Sequence, residues 1–486
     1  MIIRNFQAIA CLSTLCFALA GADVQPNKKI MNSSEVTPLE VDYPKIGTIK
    51  PRHAREIESS RWSIGAETMD RDYTIYANWR EYLGPLGAKR ARIQSGWAKT
   101  DDGSGDYDWV WLDEIILDMV DQGVEPWVCL CYGNQAYEGG GTEGLGGALP
   151  ESEESLQAWE KFVAAFVQRY GEYVDEWEIW NEPKNYMFDD GSYQRYFTRT
   201  AEVIREHQPA AVIIGPSTIG IKMKQITALL DHLKAEDKLD LVDQVAIHPY
   251  DYNPDAKYGG YERLRETLAE YDQRITIRQG ENGAPSGPAK HGILRDHPWT
   301  PENQAKWALR RLLGDAGRDI RPTNLFAMCD MIYSNDRLNS KGLLAADHDK
   351  NVLGPKPSYF AAQNLFAVFD DRTQPQQDLQ YTLATEKPED YSLFGQATDT
   401  GEWLISLWRD ADVPGENAQR EQFDLQLPEV TFQQPVFVDL LTGNVYNIPE
   451  EMWSIQDGGT RFQQIPVYDS PVLIAEKALL PISTNF

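Results

Sequence analysis

Two glutamates stand at the ends of short apolar runs, in positions where they could act as a catalytic pair. Glu182 closes the run WEIWNEP at 177–183, in which Pro183 stops the strand and turns the chain outward. Glu281 follows a second run within QGENG at 279–283. Two carboxyl groups suit acetal cleavage, because one can protonate the leaving oxygen while the other attacks the anomeric carbon. A quarter of the chain is charged, so the hypothesis depends on the two glutamates meeting in one pocket.

Eight apolar runs typical of strands would position these glutamates. They cover residues 62–66, 91–95, 126–132, 174–180, 212–215, 245–248, 275–279 and 325–328. Between them, apolar residues recur at the three-and-four spacing of one helix face, as in 112–120 and 156–167. Thr300 followed by Pro301 is typical of a helix start, and a final helix is predicted over 357–369.

Alternating strands and helices favour a closed parallel (β/α)8 TIM barrel, an α/β fold whose active site collects at the carboxyl ends of its strands. An open doubly wound sheet would alternate in the same way, but GAETMD at 65–70 replaces the glycine-rich phosphate loop expected after its first strand. The glycine-rich segment 138–148 is predicted to be a loop over the barrel mouth. Beyond 372 the helical period disappears, and runs at 403–408, 436–441 and 466–474 predict a C-terminal antiparallel β-sandwich domain.

The beginning of the chain is typical of a secretory signal peptide. Arg4 precedes an apolar run that ends in small residues, so we predict a signal peptide over 1–22 and a secreted or periplasmic protein. A linker or extended lead-in is expected at 23–60, the barrel at 61–371 and the sandwich domain at 372–486. Without the leader no segment is long enough for stable membrane insertion. Three cysteines (129, 131 and 329) would remain, which is no disulfide framework.

Charge and composition narrow the partners. A net charge of -28 argues against nucleic acid or an anionic membrane, since phosphate binding requires clustered Lys and Arg. With seven histidines and no spaced ligand cluster, neither a catalytic metal nor another cofactor is expected. A soluble substrate such as an oligo- or polysaccharide fits better.

The motif around Glu182 resembles that of the clan A glycoside hydrolases. WEIWNEPKN at 177–185, with the helix and strand pattern of 107–128 before it, is most similar to family 39, the family of β-xylosidases and α-L-iduronidases. VIIGPS, AIHPYDYN and QGENGAPS resemble later stretches of that family, so the likeness spans about 62–475. The resemblance implies a retaining glycosidase with Glu182 as acid/base and Glu281 as nucleophile.

The resemblance also implies roles for three polar residues. Asn181 would hold the sugar hydroxyl next to the anomeric carbon, while Arg92 and Tyr250 would contact Glu281. Arg92 would keep that carboxyl ionised, and Glu182 is expected in a drier, carboxylate-influenced environment in which it holds its proton. His248 is either a sugar contact or a hydrogen-bonded core histidine.

Aromatic residues at predicted strand ends could stack on sugar rings. Those assigned to substrate binding are Trp97, Tyr132, Trp180 and Tyr333. The eighth strand segment, LFAMCDMIY, lacks the Trp of many clan members, and Asp330 or Tyr333 is expected in its place. Two alternatives stay open: a non-catalytic carbohydrate-binding barrel, and a transglycosylase that uses the same carboxylate pair.

Overall fold

The computed structural model describes residues 36–416 and 419–484. The predicted signal peptide lies outside these residues. The first strand, β1 (Lys45–Ile49), falls within the predicted lead-in but pairs with strands from the end of the chain. These five residues of the lead-in therefore belong to the second domain's sheet.

The predicted barrel is confirmed. Eight parallel strands close on themselves, and the last strand pairs with the first through Ser63 and Asn324. The strands are β2 (Trp62–Gly65), β3 (Arg90–Gln94), β4 (Glu125–Leu130), β5 (Glu176–Ile179), β6 (Val212–Ile219), β7 (Gln244–His248), β8 (Thr276–Gln279) and β9 (Thr323–Leu325). The eighth strand ends earlier than predicted because Phe326 and Met328 donate their backbone N–H groups to Asn282 and Gly65 outside the ladder.

Eleven α-helices occur in the described part of the chain, and the larger ones surround the barrel. They are α1 (Tyr76–Trp79), α2 (Leu83–Leu86), α3 (Trp97–Thr100), α4 (Val110–Asp121), α5 (Glu153–Tyr170), α6 (Asn185–Asp189), α7 (Ser192–His207), α8 (Met223–Ala235), α9 (Gly259–Tyr271), α10 (Pro301–Gly317) and α11 (Pro357–Val368). None of these helices combines the length and apolarity needed to cross a lipid bilayer.

Helix α5 shows how the sequence specifies these elements. Ser152 caps it by accepting a hydrogen bond from the Ser155 N–H group, which satisfies one of the free donors of the first turn. Trp159, Phe162 and Phe166 lie on one face and are fully buried. Burial of each such ring contributes roughly 1.5–3 kcal/mol to the free energy of folding. Helix α10 begins as predicted, with Thr300 accepting from Asn303.

The barrel interior is divided by a tryptophan. Trp127 lies between two buried arginines, with the Arg92 guanidinium 5.4 Å and the Arg278 guanidinium 4.5 Å from its ring. Its indole N–H group donates to the Ser63 hydroxyl at 2.9 Å. The arginines thus belong to different ends of the barrel, Arg92 to the catalytic end and Arg278 to the opposite end.

Two small hairpins lie between β9 and α11. They are formed by β10 (Met331–Ile332) with β11 (Leu338–Asn339) and by β12 (Leu344–Ala346) with β13 (Val352–Pro355). The turn that joins them contributes a side chain to the barrel mouth, as described below.

The second domain is the predicted antiparallel sandwich. An eight-stranded sheet (β14-β16-β17-β23-β19-β20-β1-β24) and a four-stranded sheet (β15-β18-β22-β21) share an apolar core that includes Phe437, Ile474, Leu425 and Phe462. The strands are β14 (Gln374–Gln376), β15 (Thr382–Leu383), β16 (Tyr391–Ala397), β17 (Trp403–Arg409), β18 (Glu421–Leu427), β19 (Pro435–Asp439), β20 (Asn444–Asn447), β21 (Trp453–Gln456), β22 (Gly459–Val467), β23 (Val472–Glu476) and β24 (Ile482–Ser483). The predicted single strand over 466–474 is wrong, because a turn at 468–471 divides it between β22 and β23.

Candidate active site

The two glutamates of the sequence hypothesis meet in one cleft at the carboxyl end of the barrel. Glu182 follows β5, Glu281 follows β8, and both side chains line the cleft. A carboxylate oxygen of Glu182 lies within 4.8 Å of one from Glu281. This is the distance at which two carboxyl groups can act on opposite sides of one anomeric carbon.

The backbone after β5 is bent so that it presents Glu182. Trp180 (φ 68°) and Glu182 (φ 52°) both adopt the left-handed conformation, which costs energy for residues other than glycine. The Trp180 and Glu182 N–H groups donate to the carbonyls of Leu130 and Ser217 in the neighbouring strands, which holds this geometry. The strand end is therefore rigidly positioned.

Arg92 organises the floor of the cleft. Its guanidinium is fully buried and donates to both oxygens of Glu178, at 2.7 and 2.9 Å. It also donates to Asn181 Oδ1 at 2.8 Å, to Glu67 Oε1 at 2.8 Å and to Glu281 Oε2 at 3.0 Å. One arginine thus orients Asn181 and holds Glu281.

One cation among three carboxylates leaves an excess of negative charge. Burial raises the pKa of Glu67 to about 7, because desolvation and the neighbouring Glu281 and Glu178 outweigh the attraction of Arg92. Its second oxygen, Oε2, has no hydrogen-bond partner. Glu67 was not among the residues predicted from the sequence, although it lies directly after the first predicted strand, where catalytic side chains are expected.

Tyr250 and Tyr132 complete the polar lining. The Tyr250 hydroxyl donates to Glu281 Oε1 at 2.8 Å, and burial keeps the pKa of that tyrosine well above its usual value. Asn181 Nδ2 donates to the Tyr132 hydroxyl at 2.9 Å. Glu281 therefore has hydrogen-bond donors on both oxygens, and Asn181 is held from both ends of its amide.

His248 lies against Glu182 and differs from the expectation made for that glutamate. His248 Nδ1 is 2.9 Å from Glu182 Oε1 and 3.8 Å from Glu281 Oε2. Burial raises the pKa of Glu182, but the hydrogen bond and charge of His248 outweigh it, so the net pKa is lowered. Burial in turn lowers the pKa of His248, and the two glutamates raise it above its ordinary value. The net shift of the Glu182 pKa is therefore opposite in direction to the expected one, because His248 outweighs the burial of the carboxyl.

The same three side chains form a group of metal-ligating type. The ligand atoms of Glu182, His248 and Glu281 all lie within 4.8 Å of one another. The sequence showed no such cluster because the three residues come from three separate strand ends. The absence of a catalytic metal stays a prediction.

The predicted aromatic residues divide into two groups. Tyr132 and Tyr333 line the cleft, and Tyr333 packs edge-on against Tyr73 with ring centroids 5.1 Å apart. Trp180 is 1% exposed and instead packs behind the cleft against Tyr132, because the left-handed turn directs its ring inward. Trp97 is fully buried, with its indole N–H group donating to Asp101.

The position expected for Asp330 is also corrected. Its carboxylate is buried and accepts a hydrogen bond from Lys356 Nζ at 2.6 Å, so it supports the loop structure and does not line the cleft. Phe326 and Met331 face the cleft on this side. Sequence reasoning also missed Arg71, Gln94 and Lys341, which line the cleft from loops or a strand end and belong to none of the recognised motifs.

Solved structures with the same fold include several glycoside hydrolases. A family 39 glycoside hydrolase from Bacteroides cellulosilyticus WH2 is 19% identical, with 86% of this chain and 81% of that chain covered and a TM-score of 0.63. A GH39 β-xylosidase from Caulobacter crescentus is 18% identical over 88% of this chain and 97% of that chain, with a TM-score of 0.55. A bacterial orthologue of human α-L-iduronidase is 15% identical over 81% and 69% of the two chains, also with a TM-score of 0.55. No curated protein sequence matches the chain.

The barrel and its paired carboxylates define the class of protein. Residues 92–290 match the model of the family described as "Glycosyl hydrolases family 39". Together with this family match, the barrel and its carboxylates identify the chain as a glycosidase, an enzyme whose substrate is a carbohydrate. The matched stretch contains both Glu182 and Glu281, and the resemblance to family 39 is confirmed.

Proposed function

We propose that the protein is a retaining glycosidase that cleaves oligo- or polysaccharides by double displacement. The observation that carries this proposal is the approach of the Glu182 and Glu281 carboxylates to within 4.8 Å. Retaining enzymes place their carboxyl groups about 5–5.5 Å apart, whereas inverting enzymes need about 6.5–9.5 Å to seat a water molecule between carboxylate and sugar.

In the first step Glu281 attacks the anomeric carbon as Glu182 donates a proton to the leaving oxygen. The bond to the leaving group breaks, and a covalent glycosyl-enzyme forms on Glu281. In the second step Glu182 removes a proton from water, whose oxygen attacks the same carbon and releases the Glu281 carboxylate. Each step inverts the configuration of the anomeric carbon, and the two inversions cancel, so the product retains the substrate's configuration.

The hydrogen bonds of the site fit these roles. Arg92 and Tyr250 each donate to one oxygen of Glu281, which favours the ionised form that must act as nucleophile and later as leaving group. Glu182 alternates between acid and base, and its contact with His248 gives it a neighbour that can exchange a proton with it. Asn181 is oriented by Arg92 and Tyr132 to meet a hydroxyl of the bound sugar.

The surroundings of the cleft support a substrate longer than one sugar. A second depression adjoins the first, shares Arg71 and Tyr132 with it, and is bordered by the 142–144 part of the glycine-rich loop. A chain that enters the cleft has additional surface to bind there. This extension supports an oligo- or polysaccharide.

The assignment is tested with aryl glycosides, polysaccharides and two variants. Glu281→Ala is expected to abolish turnover of every substrate. Glu182→Ala is expected to lose about 10²–10⁴-fold on poor leaving groups and far less on good ones, because activated phenols need no proton. Undiminished rates in both variants would contradict the roles, and NMR detection of the first-formed anomer would reveal an inverted product if the proposed mechanism were wrong.

We also propose that the protein is exported, since the pattern of Arg4, apolar run and small residues at 1–22 is typical of a signal peptide. Amino-terminal sequencing of the protein recovered from its native host tests this. A mature chain that begins near residue 21 or 23 supports export, and an intact leader on cell-internal protein contradicts it.

A further inference from the structure

Three lysines are buried in the described part of the chain, and one differs from the others. Lys306 lies 2.9 Å from Asp469 and Lys356 lies 2.6 Å from Asp330, so each is neutralised by a carboxylate. Lys341 is 5% exposed and has no carboxylate within 4.0 Å among the described residues. The charge of Glu281 attracts Lys341 from beyond ion-pair distance, but a buried ammonium without a directly bonded carboxylate is costly.

The Lys341 ammonium belongs to the catalytic cleft. Its side chain lines the cleft together with Glu281, and Nζ lies 6.0 Å from the centroid of the Tyr250 ring. Nζ donates to the Ile293 carbonyl at 3.1 Å, while an ammonium has three protons to donate. Burial lowers the pKa of Lys341 to about 8, so the group still carries its charge at neutral pH.

The backbone around Lys341 is fixed. Its carbonyl accepts hydrogen bonds from the Ala327 N–H group at 3.2 Å and from Gln304 Nε2, also at 3.2 Å. Its own N–H group donates to Asn339 Oδ1 at 3.3 Å. The side chain therefore extends into the cleft from an anchored turn.

The other cation that lines the cleft is already paired. Arg71 lies 3.0 Å from Asp70, donates to Gln94, and stacks over the rings of Tyr73 and Tyr132. Lys341 is thus the lining cation that can offer its charge to a bound molecule, within the part of the chain that the structure describes.

We propose that Lys341 is a specificity residue that binds an anionic substituent, a carboxylate or a sulfate ester, on the sugar held in the cleft. The inference rests on the proposed function, because the sugar bound over Glu281 is what brings the substituent within reach of the ammonium. Charge-assisted hydrogen bonds from a desolvated ammonium are short and strong, so such a group is preferred over a neutral hydroxyl.

The first test measures affinity. Native polysaccharides that contain uronic acids or sulfate esters are paired with their carboxyl-reduced or desulfated forms, and binding is followed by affinity electrophoresis. The wild-type protein is expected to bind the anionic member of a pair more tightly. Lys341→Met is expected to lose roughly 10- to 150-fold in affinity for that member and to bind the neutral member as before.

Matched variants separate a binding role from a structural one. Lys290→Met removes a charge from an exposed position of the nearby loop and should leave the preference unchanged. Lys341→Arg retains the charge and should retain part of the preference, which also covers the case that Lys341→Met folds poorly. Circular dichroism and thermal unfolding identify such a case.

The second test measures hydrolysis of the same pairs. A loss in kcat/KM confined to the anionic member of the carboxyl pair identifies a carboxylate, and one confined to the sulfated pair identifies a sulfate. Equal losses on anionic and neutral substrates would show that Lys341 acts on Glu281 or on folding, and would overturn the inference. Equal wild-type affinity for both members would do the same.

The two proposals fail in different ways. If the protein binds anionic glycans through Lys341 but cleaves none, the proposed function is wrong and the binding site stands. If it cleaves neutral glycans and ignores charge, the proposed function stands and the role of Lys341 is wrong.

Discussion

The two ends of the barrel interior contain similar residues in different proportion. At the catalytic end Arg92 is shared by three carboxylates, those of Glu178, Glu67 and Glu281. At the other end the carboxylate of Glu176 is shared by Arg90 and Arg278, and Arg90 also lies 3.2 Å from the exposed Glu125. Trp127 separates the two clusters.

The difference shows which buried charge cluster serves chemistry. Burial, together with the neighbouring carboxylates, raises the pKa of Glu67 to about 7, so one group of the cluster can change its protonation near neutral pH. At the other end burial alone would raise the pKa of Glu176. The charges of Arg278 and Arg90 lower it by a larger amount, so the net pKa is lowered and Glu176 stays ionised. A cluster with an unsatisfied charge facing a cleft is suited to bind and react, whereas a neutralised one serves to hold strands together.

The largest effect is expected from removing Arg92. Arg92→Met leaves buried carboxylates without their cation, which should cost about 3–5 kcal/mol of stability. It also removes a donor to Glu281 and the orientation of Asn181, so turnover by the folded protein should fall about 10²–10³-fold. Denaturant unfolding and kinetics on one aryl glycoside measure the two losses.

The matched change at the opposite end is Arg278→Met. Glu176 keeps its contact with Arg90, so stability should fall less and turnover of the folded protein should be unchanged. An equal loss of turnover in the two variants would break the distinction between the two ends.

A smaller effect is expected from His248→Phe. His248 lowers the pKa of Glu182, so its replacement by an uncharged ring should raise that pKa. The alkaline limb of the kcat/KM profile reports the acid of the free enzyme and should move to higher pH. A limb that stays in place or moves to lower pH would show that the pair does not control the proton.

The last effect concerns the pH dependence of stability. Because the pKa of Glu67 is raised from its ordinary value of 4.5 to about 7, the folded protein binds more protons than the unfolded chain between these values. The contribution of Glu67 to the free energy of unfolding is complete below pH 4.5. It is lost as the pH rises to 7, by at most about 1.4 kcal/mol per pH unit. Glu67→Gln should flatten this decline in a series of unfolding curves.

At the other end of the barrel, Glu176→Gln should change the pH dependence of stability in the opposite direction. Since the pKa of Glu176 is lowered, its contribution is present above pH 4.5 and is lost as the pH falls below it. The stability cost of Glu176→Gln should therefore be greatest near neutral pH and shrink in acid. Parallel pH profiles for the two variants would contradict the assigned charge balance.

The barrel and the positions of Glu182 and Glu281 at its strand ends could be predicted from the sequence because both leave local signals. Barrel strands are buried on both faces and appear as apolar runs, and the carboxyl end of such a strand is where Glu182 and Glu281 stand. Strand β1 was missed because its five residues, KIGTI, carry too little pattern to be distinguished from a lead-in.

Other features depend on distant contacts that no local pattern contains. The role proposed for Lys341 depends on the absence of a carboxylate within 4.0 Å among residues 36–416 and 419–484, which only the folded structure reveals. Trp180 stands at a strand end, but a positive φ turns its ring inward. The pKa of Glu182 depends on His248, which is 66 positions away along the chain.

Strand β1 also has a consequence for biosynthesis. Thr48 forms its ladder with Asn444 and with Ser483, so this segment is synthesised long before either of its partner strands. Pairing over so long a separation is slow to form. The sheet thus closes only after β24 has been synthesised, and a chain truncated before β24 would leave the edge of β1 open and prone to association.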